Sequence, residues 1–227
     1  MTLGALVFDF DGLVLDTETS EYMSVNAVFA EHGVELPRDE WQRIIGTADH
    51  PHWTDLLEAA LGRPLEDREA VLVRRQGAHH TMIATESVRP GVAELLAEAR
   101  AAGVPAGVCS SSNLSWVEGH LTRLGLAPYF ASLTTRDDVG GDRSRTKPSP
   151  ELFHLAAAKL GVAEHACVVF EDSPHGVAAA RAAGMVVVAV PGPMTAGLAF
   201  PGAHRVVPRL AGVGLADLRR WVDAARR

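Results

Sequence analysis

Three aspartates lie within eight residues near the start of the chain, directly after an apolar run that is typical of a buried strand. The run extends from Leu3 to Phe8, and the acids are Asp9, Asp11 and Asp16. Carboxylates this close repel one another unless a cation or a shared proton compensates their charge. A hard metal ion with oxygen ligands is the simplest compensation, so the segment predicts cation-dependent chemistry at a strand end.

The elements that must hold these acids alternate along most of the chain. Apolar runs predict strands at Leu3–Phe8, Val104–Cys109, Ala166–Phe170 and Met185–Val190, with a weaker one at Ala131–Thr135. Helical periodicity covers Val92–Ala102, Leu114–Leu124, Pro150–Leu160, Val177–Ala183 and Leu215–Ala225. This alternation favours an α/β fold, a three-layer Rossmann-like parallel sheet with helices on both faces.

One interval interrupts the alternation. Between the first acids and residue 86 there are only amphipathic helical patterns, at Tyr22–Glu31, Asp39–Ile45, Trp53–Leu61 and Glu66–Met82. We therefore expect an inserted α-helical cap domain at residues 17–86 and a core domain made of residues 1–16 and 87–227. The connections near residues 16–18 and 87–90 would be the hinges between them.

Polar groups follow the other predicted strands as well. Ser110, Ser111, Ser112 and Asn113 follow the second strand, Lys147 lies beyond the weak strand, and Glu171 and Asp172 end the next one. Ligands of open parallel sheets bind beyond the carboxyl ends of the strands, so these groups should converge. Together they suit phosphoryl transfer, which needs a nucleophile, a cation site, phosphate-binding donors and a fixed positive charge. Taken singly, the serine run is typical of a helix N-cap, which is compatible with phosphate binding.

Four motifs in this order resemble those of the haloacid dehalogenase (HAD) superfamily. They are Asp9-Phe10-Asp11-Gly12, Ser110, Lys147-Pro148 and Glu171-Asp172, and the resemblance covers essentially the whole chain. The helical insert directly after the first motif is similar to the cap of the phosphatase and β-phosphoglucomutase-like branch. A dehalogenase would not need Asp11, because a halide leaving group takes no proton.

The resemblance implies a role for each matching residue. Asp9 would be the nucleophile that forms an aspartyl-phosphate, and Asp11 the general acid and base. The cofactor would be Mg²⁺, held by Asp9, Asp172 and the backbone carbonyl of Asp11, with Glu171 binding directly or through water.

The resemblance also implies the groups that receive the phosphate and the substrate. Ser110, Ser111, Asn113 and Lys147 would bind the phosphoryl group. Thr17, Glu18, Glu21 and Gly46 would lie at the hinge and on the substrate side of the cap.

The choice between phosphatase and mutase depends on the cap. The β-phosphoglucomutases carry a histidine where this chain has Glu21, and an arginine where it has residues 46–50, which include no arginine. Both departures favour a phosphatase acting on a small phosphomonoester, either a sugar phosphate or a nucleotide-like molecule. A phosphomutase is the alternative, and a non-enzymatic phospho-acceptor or sugar-phosphate-binding module is a weaker one.

Composition restricts the partners. The formal net charge is −7 and no long basic stripe is present, so we expect no nucleic acid. No apolar run reaches the roughly 20 residues that cross a bilayer, and no secretory leader is visible, so we expect a cytoplasmic protein that does not enter the membrane. Cys109 and Cys167 lie in apolar runs and should be buried free thiols. A monomer is expected, and a dimer is left open.

The remaining histidines and tryptophans give no chemical pattern. His50, His52, His79 and His80 lack cysteines or a helical His-x-x-x-His spacing and are expected at the surface or in packing. Trp41, Trp53, Trp116 and Trp221 lie in helical patterns and are expected to pack in the core or the lid.

Overall fold

A six-stranded parallel sheet lies at the centre of the computed structural model, which describes residues 3–225. The strand order is β3-β2-β1-β4-β5-β6, and every neighbouring pair is parallel. The strands are β1 (Ala5–Phe8), β2 (Ala106–Cys109), β3 (Ser132–Thr134), β4 (Cys167–Glu171), β5 (Val186–Ala189) and β6 (Arg205–Val206).

Helices cover both faces of this sheet. Leu6 and Phe8 of β1 pack in one hydrophobic cluster with the helices that begin at Val92, Leu114 and Leu215, while Ala5 and Val7 pack in a second cluster with the helices that begin at Glu151 and Pro174. The predicted three-layer α/β fold is therefore confirmed. The helices of the described chain are α1 (Thr17–Glu31), α2 (Arg38–Gln42), α3 (Trp53–Leu61), α4 (Arg68–Ile83), α5 (Val92–Ala101), α6 (Leu114–Arg123), α7 (Glu151–Leu160), α8 (Pro174–Ala182) and α9 (Leu215–Ala224).

The strand order reverses between β1 and β4, which are hydrogen-bonded neighbours. From β1 the chain proceeds to β2 and β3 on one side, and β4, β5 and β6 extend the sheet on the other. A crevice forms at such a reversal, beyond the carboxyl ends of the strands. Asp9 directly follows β1 and Asp172 directly follows β4, so the fold brings these acids to the crevice.

Helices α1 to α4 form an insertion between β1 and α5 with a hydrophobic cluster of its own. This cluster includes Val25, Phe29, Trp41 and Leu57, and Met194 from the loop after β5 joins it. The insertion therefore rests against the strand ends. The domain limits at residues 17 and 86 stay a prediction, and residues 1, 2, 226 and 227 of the predicted core lie outside the described residues.

Strand β6 has no counterpart among the predicted elements. It contains two residues, Arg205 and Val206, and both are exposed. So short a segment at the sheet edge carries no apolar run that a sequence pattern could detect. The two cysteines are buried and free, as predicted. Among residues 3–225, no helix combines the length and apolar character that crossing a membrane requires.

Candidate active site

A buried lysine joins the ends of β1, β2 and β4. Lys147 donates to Glu171 Oε1 at 2.5 Å and to the carbonyl of Cys109 at 2.8 Å, and it also contacts Asp9 Oδ1. Its side chain is 1% exposed. Burial lowers the pKa of Lys147, but the Asp9 and Glu171 carboxylates outweigh burial and raise this pKa above its ordinary value. The ammonium group therefore stays charged at the floor of the site.

Three carboxylates surround this lysine. Oxygen atoms of Asp9, Glu171 and Asp172 lie within 4.8 Å of one another. Both carboxylate oxygens of Asp172 are buried without a hydrogen-bond partner. Burial raises the pKa of Asp9, with Glu171 adding to the rise, and burial and Asp9 raise the pKa of Asp172 in the same way. A buried, unpartnered carboxylate beside two others fits an oxygen-ligated cation such as Mg²⁺.

Gly12 allows the chain to turn close to these acids. Its φ of +79° is one that L side chains rarely adopt, and a Cβ there would lie 2.1 Å from Asp172 Oδ2. The turn carries the chain from Asp9 past Asp11 and back under the insertion, where Asp16 caps α1 by accepting from the Thr19 amide at 3.1 Å.

Asp11 is held by four hydrogen-bond donors. Its Oδ1 accepts from Thr17 Oγ1 at 3.0 Å and from Trp116 Nε1 at 2.8 Å. Its Oδ2 accepts from Ser112 Oγ at 2.7 Å and from Ser110 Oγ at 3.2 Å. Trp116 packs against the core as expected, and its indole N–H also donates to Asp11, a contact that helical periodicity does not reveal.

Three of the four predicted phosphate-binding residues, Ser110, Ser111 and Asn113, lie together just before α6. Ser110 is buried and accepts from the Ser112 amide at 3.0 Å. The Asn113 side chain caps α6 by accepting from the Trp116 amide at 2.8 Å, as the N-cap interpretation predicts. Ser111 donates to the carbonyl of Gly46 at 3.3 Å. The N-terminus of α6 thus faces the site, where its dipole favours an anion.

A cavity of about 560 Å³ opens above these groups, between the strand ends and the insertion. Asp9, Asp11 and the Ser110–Asn113 segment line it from the sheet side. The insertion contributes Glu18, Glu21 and Gly46 to its wall. The structure therefore brings most of the predicted site residues to this cavity. Thr17, Lys147, Glu171 and Asp172 do not line it. Thr17 contacts Asp11, and the other three belong to the cluster around Asp9.

The residues predicted at the hinge and on the substrate side of the insertion lie close to residues of the core. Burial raises the pKa of the Glu18 carboxyl, and the negative charge of Asp172 adds to the rise. Thr17 is buried and contacts Asp11. Gly46 packs tightly on the core, since a Cβ there would lie 2.0 Å from Ser173 Oγ.

The cavity is also lined by two arginines, Arg75 and Arg136, which the sequence patterns do not indicate. The segment 46–50 contains no arginine, yet α4 brings Arg75 into the cavity, where it pairs with Glu21 at 2.8 Å. The Arg75 side chain is 11% exposed, and its buried Nε has no partner. Arg136 follows β3, is half-buried and forms no ion pair within residues 3–225. Only the arrangement of helix α4 against α1 brings Arg75 and Glu21 together.

The histidines also lie closer to the site than expected. His50, His52, His79 and His80 all line the cavity, and His79 is buried with an unpartnered Nε2. Burial lowers the pKa of His79, so its imidazole is neutral near pH 7. Of the two expected roles, surface or packing, His79 therefore has the packing one, because it lies against Trp116 at the cavity wall.

A doubly covered parallel sheet with an insertion after its first strand, and with acids and a lysine at the strand ends, is typical of hydrolases with a Rossmann-like core. Residues 3–184 match the family described as haloacid dehalogenase-like hydrolase. The chain belongs to this family. The predicted superfamily, its phosphatase and β-phosphoglucomutase-like branch and the enzyme class of phosphoric monoester hydrolase are confirmed.

Relatives align over nearly the whole chain. YhcW of Bacillus subtilis (strain 168), named as a candidate phosphatase, is 42% identical over 94% of this chain and 95% of its own length. The fructose-1-phosphate phosphatase YqaB of Escherichia coli (strain K12) is 32% identical over 82% of this chain and 95% of its own length. CbbY of Rhodobacter sphaeroides, solved with xylulose-(1,5)bisphosphate, superposes with a TM-score of 0.75 at 28% identity, covering 96% of this chain and 99% of the CbbY chain.

Proposed function

We propose that this enzyme is a Mg²⁺-dependent phosphatase that hydrolyses a small phosphomonoester through an aspartyl-phosphate on Asp9. The observation that carries the proposal is the buried set of Asp9, Glu171 and Asp172 around Lys147 at the floor of the cavity. A nucleophilic carboxylate, a fixed cation and a cation site within one cluster are the parts that phosphoryl transfer requires.

Asp9 is the proposed nucleophile. Lys147 contacts its Oδ1, which leaves Oδ2 free to attack phosphorus from the floor of the cavity. As the new O–P bond forms, the bond to the substrate oxygen breaks, and Asp11 gives that oxygen a proton. A water molecule then attacks the aspartyl-phosphate while Asp11 takes up its proton, which restores Asp9. Lys147 offsets negative charge on Asp9 in both steps.

The residues that would hold Mg²⁺ are Asp9, Asp172 and the carbonyl of Asp11. Asp172 is the best supported of them, because both of its buried oxygens lack a partner. The Glu171 oxygens already accept from Lys147 at 2.5 Å and from Ser173 Oγ at 3.1 Å, so we propose that Glu171 acts through water. When bound, the ion supplies positive charge that stabilises the phosphoryl oxygens.

The substrate class that fits the cavity is a sugar phosphate. A volume of about 560 Å³ accommodates a small metabolite. Arg75 and Arg136 add positive charge at a distance from the floor, which suits a substrate with a second acidic group. The names of YqaB and of the CbbY complex, fructose-1-phosphate and xylulose-(1,5)bisphosphate, support the same class. Nucleotide-like phosphomonoesters are the second choice.

The insertion is proposed to be the cap that closes over the substrate. Gln42 donates to the carbonyl of Met194 at 2.6 Å, and His175 contacts the carbonyl of Arg43 at 2.8 Å, so the insertion touches the core near the site. Closure of this kind excludes water and selects the substrate. The proposal includes residues 17–86 as the cap and a monomer as the working unit.

The test is phosphate release from an aryl phosphate and from a panel of sugar phosphates and nucleotides, with Mg²⁺ or with a chelator. We expect turnover that requires Mg²⁺ and is lost in Asp9→Asn. Turnover that persists in Asp9→Asn, or that is unaffected by chelation, would contradict the mechanism.

A phosphomutase is the second candidate, favoured by the same arginines, since a mutase also holds a second phosphate. Glu21 occupies the place of the mutase histidine, and the lack of that histidine favours hydrolysis. Conversion of β-glucose 1-phosphate to glucose 6-phosphate, faster than phosphate release, would support the mutase instead.

A further inference from the structure

The indole of Trp116 differs from the other donors that hold Asp11. Thr17, Ser110 and Ser112 contact the carboxylate through hydroxyls, which rotate and can accept as well as donate. The indole N–H of Trp116 can only donate, and it lies 2.8 Å from Oδ1. Oδ1 must therefore remain an acceptor while this contact lasts.

Oδ2 has different partners. Ser112 at 2.7 Å and Ser110 at 3.2 Å reach it through hydroxyls alone. Either hydroxyl can turn and accept a hydrogen bond when Oδ2 carries a proton. The two oxygens of Asp11 thus differ in their hydrogen-bond partners, and Oδ2 is the oxygen whose partners can adapt to a transferable proton.

The ring of Trp116 also lies against the insertion. It stacks on His79 of α4 with the ring centres 5.6 Å apart and an interplanar angle of 23°. Arg123, two turns further along α6, donates to the carbonyls of Ala84 and Glu86 just after α4, at 3.2 and 2.9 Å. Helix α6 thus contacts the end of the insertion through both Trp116 and Arg123. Because Trp116 also donates to Asp11, the same side chain connects the insertion with Asp11.

We propose that Trp116 is a positioning residue for Asp11: its N–H fixes Oδ1 as the acceptor, so that Oδ2 carries the transferred proton, and the rings of His79 and His120, at 5.6 and 4.3 Å, hold the plane of the indole. The inference rests on the proposed function, in which Asp11 is the acid and base. As the P–O bond breaks, its electron pair stays on the leaving oxygen and the Oδ2 proton moves there. In the second step Oδ2 takes a proton from the attacking water.

The test is Trp116→Phe, which keeps an aromatic ring beside His79 and removes the N–H. Trp116 is half-buried at the cavity wall, so the variant should fold, and circular dichroism and thermal unfolding check this. The readout is kcat/KM for aryl phosphates of similar size whose phenols span pKa values from about 5 to about 10. This constant covers formation of the aspartyl-phosphate, where a poor leaving group needs the proton most.

We expect Trp116→Phe to lose about 10- to 100-fold in kcat/KM for the poorest leaving group and less than about threefold for the best, which steepens the leaving-group dependence. His79→Ala should steepen it in the same direction. Trp221→Phe, on α9, is the matched control and should leave the dependence unchanged.

A uniform loss across the series, or none, would overturn the role of Trp116. An unchanged dependence in His79→Ala would overturn its connection to α4. These outcomes differ from failure of the proposed function, in which the wild-type enzyme would release no phosphate from any member of the series.

Discussion

Replacing Lys147 by Met removes the buried cation that contacts Asp9 and Glu171 while keeping a similar side-chain volume. The Lys147 side chain is 1% exposed, and those of Asp9 and Glu171 are 8% and 0% exposed. Removing one partner of a buried ion pair typically costs about 3–5 kcal/mol, because it leaves an uncompensated buried charge. Here two carboxylates lose their partner, so we expect a loss within or above this range when Mg²⁺ is absent.

The assay is equilibrium unfolding in urea with a chelator present. For a chain of this length, a loss of about 3–5 kcal/mol corresponds to a fall of about 6 to 20 °C in the thermal midpoint. The matched control is Lys159→Met, which removes a lysine that contacts Asp138 at 2.7 Å on the surface. Its side chain is 36% exposed. We expect the control to lose no more than about 1 kcal/mol.

A double-mutant cycle isolates the charge interaction. Adding Asp9→Asn to Lys147→Met should recover part of the loss, with a coupling of at least about 1 kcal/mol. The reasoning would be refuted if Lys147→Met lost no more stability than Lys159→Met. It would also fail if the two substitutions at the site were simply additive.

Two further predictions concern the cofactor and the cavity. Because burial raises the folded-state pKa of Asp9 and Asp172 above their unfolded values, the chelated protein should lose stability as pH rises from about 4 through the raised values. Mg²⁺ competes with those protons for the carboxylates. The increase in thermal midpoint on adding Mg²⁺ should therefore be smaller at about pH 5 than at about pH 8. An increase that is larger at acid pH would contradict the proposed metal site. Arg75→Met should raise KM for a sugar bisphosphate by about tenfold or more with a smaller effect on an aryl phosphate, measured by phosphate release. Arg74→Met, which removes an exposed arginine paired with Glu31, is its control, and equal effects of the two substitutions would exclude Arg75 from substrate binding.

The sequence patterns predict much of the fold because each strand of the sheet centre is an uninterrupted apolar run. Val168, Val169 and Phe170 in β4 are fully buried, which is what a run of this kind indicates. Strand β6 lies at the edge with both residues exposed, so it leaves no such pattern. The acids and Lys147 are likewise predictable, since parallel strands bring their carboxyl ends to one edge.

The side chains that complete the cavity are less predictable. Arg75 and Glu21 are in contact although 54 positions separate them in the sequence, and Trp116 and Asp11 are separated by 105 positions. Both contacts depend on how helices of the insertion and the core pack, and neither has a local signature. The sequence leaves a surface or a packing role open for His79 for the same reason, because burial of a single helical histidine depends on the helix that covers it.

Trapping the covalent intermediate tests the central claim most directly. Asp11→Asn should still be phosphorylated by an aryl phosphate, whose leaving group hardly needs a proton, but it should be slow to activate water. After acid quenching, mass spectrometry should find one added phosphoryl group on the peptide that contains Asp9, and none in Asp9→Asn. A phosphoryl group on another residue, or steady turnover in Asp9→Asn, would contradict the account.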